Sequence, residues 1–280
     1  MLESLYRFID IILPFQWVQY DFMKNALIAV LLVTPLFGIL GTMVVNNKMA
    51  FFADSLGHGA FTGIAIGILF GGISATWGAT IFSIFFAIAI TLIKNKGNSS
   101  TDTIIGVFSS IAIALGLVLM SLGGNMNKFS SYLVGDLLSI SPKEILMLII
   151  LFAVILLIWS FIFNKLLLVS INSSLAKSRG TNTLLIELLF TITIAVVVTI
   201  TVNWVGLLII NSLLVLPAAA ARNVSKNIRQ YHLLSILISI SSGIIGLVLS
   251  YYLNTVTGAT IVLISAIMFF ITLGYKQKFI

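Results

Sequence analysis

The sequence predicts an all-α, polytopic integral membrane protein with about nine transmembrane helices, and three observations carry that prediction. Apolar residues make up 60% of the 280 and charged residues 8%, with a mean hydropathy of +1.18. No soluble surface can be built from that balance. The apolar residues fall into long uncharged runs, each sufficient for one or two crossings of a ~30 Å hydrocarbon core. Lys and Arg sit between those runs, so the net charge of +7 reads as a topology signal and not as a patch for nucleic acid, and no nucleic-acid partner is expected. There are no cysteines. Disulfides and thiolate metal sites are thereby excluded, which leaves His, carboxylates, Met, amides and carbonyls for any metal chemistry.

Each element follows in order. Residues 1–24 mix apolar residues with Arg7, Asp10, Gln16 and Asp21, and with Pro14 and Trp17; the pattern predicts an interfacial helix with a break. The N-terminus lacks the basic start and small-residue cleavage site of a secretory signal and is expected to be retained. Residues 26–45 form a first span, carrying Pro35, which should kink it, and Lys48 follows in a polar turn. Residues 55–93 are twice the length of one span and divide at Gly71-Gly72-Ile73-Ser74 and Trp77-Gly78. After the loop with Lys94 and Lys96 comes a span at 103–122. A longer polar connection with Asn125, Asn127, Lys128, Asp136, Pro142, Lys143 and Glu144 follows, with an apolar YLVGDLLSI that can form a short surface or re-entrant helix. The next span covers 145–163. Beyond a basic loop at 164–183, residues 188–221 form a hairpin divided at Asn203-Trp204, and residues 233–275 a second one divided around 254–258. No long polar stretch interrupts the pattern, so residues 1–280 read as a single membrane domain.

Positive charge sets the orientation. The loops around Lys94, Lys177 and Arg222 and the C-terminus are basic, while those at Gly72, Asn203 and Asn254 carry no charge. The basic side, C-terminus included, is therefore assigned to the cytoplasm and the N-terminus to the outside. Within this frame the stretch MAFFADSLGHGAFTGIAIGILFGG stands out, because Asp54 and His58 lie four residues apart on a spanning helix. Residues i and i+4 share a face, so the carboxylate and imidazole can hold one cation between them, and these donors suit Zn, Mn or Fe. Measured along a continuous helix from Lys48, Asp54 lies roughly 9 Å and His58 roughly 15 Å into the membrane. An ionisable pair at that depth points to a pathway. The structural alternative is that Asp54 caps the helix and His58 bonds a neighbour. Gly57, Gly59, Gly63 and Gly67 give the small-xxx-small spacing of close helix packing.

Other polar residues have humbler readings. Asn211, inside a span, can line the translocation path or bond across helices. Pro217 should end or kink that span before Arg222. Glu187 is expected near the interface, where pairing with Arg179 would suffice, Asp136 as a cap or as a contact for an extracellular delivery protein, and His232 at the interface.

The chain resembles the membrane permeases of bacterial ABC importers for zinc, manganese or iron, the ABC-3 family, through MAFFADSLGHGAFTGIAIG, then YLVGDLL, then VGLLIINSLLVLPAAAAR, in that order. The resemblance implies that Asp54 and His58 belong to a metal pathway. It also implies that in SINSSLAKSRGTNTLL the residues Leu175, Ala176, Lys177, Arg179 and Gly180 form a short helix that docks into a cytoplasmic ATPase subunit. Two permeases, two ATPases and an extracellular metal-binding protein would complete the importer in a bacterial cell membrane. The divalent metal would be cargo and not a permanently bound cofactor.

The chain has no Gly-Lys-Ser/Thr phosphate loop, no two-His metalloprotease motif and no nucleophile elbow, so it is not expected to be an enzyme. Two alternatives from other classes remain at this stage. A secondary transporter driven by an ion gradient would be indifferent to bulk at Ala176 or Gly180. A membrane-embedded metalloprotein with catalytic function would need a third ligand besides Asp54 and His58.

Overall fold

A computed structural model describes residues 2–13, 15–70, 74–97, 99–122 and 135–279. Among them every regular element is helical: α1 (Leu2–Ile12), α2 (Asp21–Asn46), α3 (Phe52–Phe70), α4 (Ala75–Lys96), α5 (Thr101–Leu122), α6 (Pro142–Ile171), α7 (Ser173–Ser178), α8 (Thr183–Val205), α9 (Leu207–Val224), α10 (Ile228–Leu253) and α11 (Thr257–Phe279). Short 3₁₀ turns at Gln16–Gln19 and Leu137–Ser139 precede α2 and α6. Eight of the helices, α2 to α6, α8, α10 and α11, are long and apolar enough to cross a membrane, and the shorter α9 stands where a ninth span was expected. Pro14, the division at Gly71 to Ile73, and Asn125, Asn127, Lys128 and the YLV of the polar connection lie outside the described residues.

Helix ends follow local rules. Ser74, Asn172, Asn182 and Asn227 cap α4, α7, α8 and α10 by accepting from backbone amides three residues on. At the start of α6, Ser141 and Glu144 exchange bonds: the Glu144 carboxylate accepts from the Ser141 amide at 2.8 Å, and the Ser141 hydroxyl accepts from the Glu144 amide at 3.4 Å. This is a capping box. Asn254 ends α10 in the left-handed region, φ 50°.

Three boundaries differ from the sequence reading. Helix α8 runs through Asn203 and Trp204 and stops at Gly206, whose φ of 89° no helix can continue. Helix α9 continues past Pro217 to Val224, so the proline neither ends it nor precludes its last turn. Helix α6 does not stop near Phe163; Asn164 and Lys165 point outward, and an exposed Lys is a good helix former, so the helix extends to Ile171.

The chain forms two compact units, the first built from Met1–Thr42, Gly135–Val154 and Ser212–Ile280, the second from Met43–Val134 and Ile155–Asn211. In the first, α1 is tied to the start of α2. The buried Lys24 ammonium meets Asp10 at 2.9 Å and Asp21 at 3.7 Å, Tyr6 donates to Asn25, and Asn25 donates to the Ile140 carbonyl at 3.3 Å. The Tyr6 hydroxyl is held above the ordinary tyrosine pKa by burial and by the nearby Asp21 charge. Along α2 and α10, Ser235 donates to the Gly38 carbonyl at 2.7 Å and Ser239 to the Thr34 carbonyl at 2.6 Å.

In the second unit, α3 packs against both α4 and α5, while α8 packs against α4 and touches α3. The stripe Ser55, Gly59, Gly63, Gly67 faces α4 through its glycines. A methyl group added at Gly63 would collide with the Gly78 carbonyl oxygen and stand 2.8 Å from both the Ala79 Cα and the Phe82 Cβ. Thr62 crosses to α5, donating to the Ala112 carbonyl at 2.6 Å. The glycine spacing thus serves the close packing its sequence pattern suggests.

Replacing Gly63 by Val should therefore force α3 and α4 apart and cost about 1–3 kcal/mol, seen as a lower thermal midpoint in detergent. Gly106 on α5, where an added methyl meets nothing within 4 Å, should accept Ala with unchanged or slightly raised stability, by up to about 1 kcal/mol; equal losses at both sites would rule out the α3–α4 contact as the cause. Ser239→Ala, which removes one interhelical bond, should cost only about 0.6 kcal/mol, the average for such bonds in membranes.

Candidate functional site

The turn that carries the chain from α2 into α3 sets the height of the candidate metal pair. Lys48 adopts the left-handed conformation, φ 55°, and α3 begins only at Phe52. The path from Lys48 to Asp54 is therefore not continuous helix, and the depth counted from Lys48 is corrected: Asp54 lies about 3 Å and His58 about 9 Å along α3 from its first residue. Asp54 stands in the first turn of the helix, past the cap position, where a carboxylate faces the partial positive charge of the helix N-terminus.

The two side chains converge. His58 Nε2 lies 3.6 Å from Asp54 Oδ2, and their side chains are 20% and 35% exposed respectively. That gap is too long for a hydrogen bond, but it suits a shared cation. Two donors each about 2.1 Å from one ion and 3.6 Å apart subtend about 120° at the ion, close to tetrahedral geometry. The pair lies on the face next to the glycine stripe that packs on α4, and both side chains stay partly exposed. The His58 carbonyl also accepts from the Thr62 hydroxyl at 3.2 Å. Among the described residues no third His, Cys, Asp or Glu joins the two into a metal-binding group.

Asn211, on α9, has its Oδ1 buried without a hydrogen-bond partner, and so does the Oγ of Ser55. A buried acceptor left unpaired is costly, and the Asn211 Oδ1 makes no interhelical bond among the described residues. Among the described residues no hydrogen bond joins it to Asp54 or His58.

The loop of Leu175 to Gly180 takes a definite form. Asn172 caps the six-residue α7 through the Leu175 amide. At its other end the Thr181 amide donates to the Ala176 carbonyl at 3.0 Å and the Gly180 amide to the Lys177 carbonyl at 2.9 Å, with Gly180 at φ 74°. This is a Schellman motif, and it requires the left-handed conformation that glycine adopts freely. Ala176 is fully buried, while Leu175 is 42% exposed and Lys177, Arg179 and Gly180 are exposed. The small side chain of Ala176 thus points into the chain, where α7 meets α8. The outward face is formed by Leu175, Lys177 and Arg179.

Glu187 does not pair with Arg179. Its Oε2 accepts from Asn95 Nδ2 at 2.8 Å and lies 3.5 Å from Lys94 Nζ, because α4 remains helical to Lys96 and brings both side chains beside α8. The sequence reading placed Lys94 in a loop and missed this arrangement; Lys94 and Asn95 follow an uninterrupted apolar run, and the cue was there. Asp136 caps the 3₁₀ turn at Leu137–Ser139, accepting from the Leu138 amide at 3.1 Å. His232 meets the Thr42 hydroxyl at 2.8 Å and the Ile228 carbonyl at 3.0 Å, and is a helix-packing residue of α10.

Comparison with known proteins places these features in context. A manganese import system permease protein of Streptococcus parasanguinis is 30% identical over 260 residues, covering 93% of this chain and 92% of that protein. A high-affinity zinc uptake system membrane protein of Haemophilus influenzae is 29% identical over 261 residues, covering 93% and 100%. Among solved structures, PsaBC from Streptococcus pneumoniae in complex with Fab superposes with a TM-score of 0.79 at 28% identity, over 96% of this chain and 95% of that one. The family model of the ABC 3 transport family matches residues 19–276. With eight apolar helices of membrane-spanning length and a shorter ninth among the described residues, an Asp/His pair converging on α3 and nearly the whole length matched, the chain belongs to the ABC 3 transport family.

Proposed function

We propose that this chain is the membrane permease subunit of an ATP-driven importer of divalent transition metal ions, zinc or manganese, in a bacterial cell membrane. The observation that carries the reading is the Asp54/His58 pair, with donors 3.6 Å apart on a helix of a chain whose relatives are named as manganese and zinc permeases. The permease itself does no chemistry. A separate ATPase subunit hydrolyses ATP on the cytoplasmic side, where the basic loops and the C-terminus lie, and an extracellular metal-binding protein delivers the ion.

Two donors are too few for a complete coordination sphere. A second copy related by a twofold axis would present two carboxylates and two imidazoles to one ion path, and this is why a homodimer is the working assembly. Water completes the sphere as the ion arrives and leaves. Binding of modest strength suits transport, because a site that held the ion very tightly would not release it. Asn211, with its unpaired Oδ1, offers a further oxygen along the path. The outward residues Leu175, Lys177 and Arg179 of α7 form the docking face for the ATPase, with their cations meeting acidic groups on that partner; Ala176 and Gly180 fix the shape of the helix that presents them.

Asp54→Ala and His58→Ala, expressed to the wild-type level beside the ATPase, should each lower cellular uptake of zinc or manganese by more than the ~10–100-fold that loss of an outer-shell metal partner costs. Uptake that persists in both variants would make the pair a structural feature. Gly180→Val places a β-branched residue in the left-handed region at a cost of about 1–3 kcal/mol, and Lys177→Glu with Arg179→Glu reverses the charge of the docking face. Either change should reduce recovery of the ATPase with the affinity-purified permease, and recovery at the wild-type level from both would place the docking surface elsewhere.

A further inference from the structure

We propose that Glu187 is a positioning residue for energy coupling: with Asn95 and Lys94 it clasps α8 to α4, so that a displacement received at α7 is passed to α3 and the Asp54/His58 pair. The proposal rests on the reading of the chain as an ATP-driven permease and names the route by which the motion travels inside it.

The route is continuous within one compact unit. Helix α7 turns at Gly180 into α8 and lies against it. Glu187 sits one turn into α8, and its carboxylate is taken up by two residues of the last turn of α4, Asn95 at 2.8 Å and Lys94 at 3.5 Å. The Lys94 and Glu187 side chains are only 22% and 19% exposed. Asn95 is itself anchored to α4 by a bond to the Thr91 carbonyl at 3.1 Å. One turn further along, the hydroxyls of Thr91 and Thr191 meet at 3.0 Å, giving a second polar rung between the same helices. Helix α4 then presses its Gly78 surface against the Gly63 stripe of α3, and Ser83 reaches the Leu56 carbonyl at 3.4 Å, between the two ligand positions in sequence.

The chemistry explains why a clasp is needed there. Helices in lipid gain little from apolar contact over contact with acyl chains, so an apolar α4–α8 seam would resist compression but not sliding or separation. A carboxylate that is itself mostly buried and is held by a surface amide and an ammonium resists sliding and separation, and charge-assisted bonds of this kind are the stronger ones. A glutamate near the end of a spanning helix could simply turn to water. Here it is committed to a neighbouring helix.

The test uses the complete complex, permease with its ATPase and metal-binding protein, in lipid vesicles, with metal transported and ATP hydrolysed measured together. Glu187→Met keeps the length of the side chain and removes its acceptors; Glu187→Gln retains an oxygen for Asn95. The expected result for Glu187→Met is a fall of about tenfold in metal moved per ATP, within the usual range of coupling strengths, with complex recovery unchanged. Glu187→Gln should restore most of that ratio. A proportional fall of transport and hydrolysis, or poorer recovery of the complex, would mark Glu187 as a residue of folding alone and overturn the proposal. So would an unchanged ratio in Glu187→Met. If the wild-type complex moves neither zinc nor manganese, the functional reading itself fails and the clasp's role in coupling falls with it, an outcome readable before any variant is made.

Discussion

The constraint from which the rest of this structure follows is that a chain in hydrocarbon must satisfy its own polar groups. The backbone does so by being helical. The hydroxyl side chains do so by bonding back along their helices: Thr34 to the Val30 carbonyl, Thr91 to Ala87, Thr199 to Ala195, Thr201 to Val197 and Ser265 to Ile261, at distances from 2.7 to 3.0 Å. Where two helices approach closely the same kind of hydroxyl turns outward, as Ser235 does to Gly38, Ser239 to Thr34 and Thr62 to Ala112. Small residues and hydroxyls therefore act together. The glycines let backbones approach, and the approach brings carbonyls within reach of the neighbour's Ser or Thr.

Against that background the unsatisfied groups stand apart. The Asp54 and His58 donors face each other across a gap that neither closes with a hydrogen bond, and the Asn211 oxygen is buried and unpaired. The Ser55 hydroxyl, one residue from Asp54, is buried and unpaired as well. The pair is placed beside the glycine stripe, so α4 secures the helix while both side chains stay partly exposed. Helix α7 shows a similar division of labour: Ala176 is turned inward to seat α7 on its own chain, which leaves Leu175, Lys177 and Arg179 to face outward.

Much of this was legible in the residues. Hydropathy alone located the spans, because burial in lipid demands long uncharged runs whatever the tertiary packing. The glycine stripe and the Asp54/His58 spacing were readable as well, since the helical period fixes which residues share a face. The misreadings share one cause. Polar residues read as punctuation in the sequence, yet Asn203 and Trp204 lie within α8, Asn164 and Lys165 within α6, and Lys94 and Asn95 within α4. Helix ends were decided instead by backbone conformation, at Gly206, Gly180, Asn254 and Lys48, and a left-handed φ at a lysine leaves no mark in composition. The continuous helix assumed from Lys48 to Asp54 is broken for that reason. The partners of Glu187 depended on which helices lie side by side, which periodicity within one helix does not encode.

Helix α6 is 30 residues long, about 45 Å at 1.5 Å per residue, against a hydrocarbon core of about 30 Å. To fit wholly inside, it would have to tilt by nearly 50°, beyond the ~40° limit seen for such helices. Lys143 and Glu144 mark its first turn as the interfacial end, so the excess length emerges at the other end, the one that leads into α7. The permease thus carries its own stilt. Helix α7 stands clear of the acyl chains, at a height set by the number of residues in α6 and by the thickness of the bilayer, and a deletion of one or two turns from that overhang would lower α7 toward the bilayer while leaving its own residues in place.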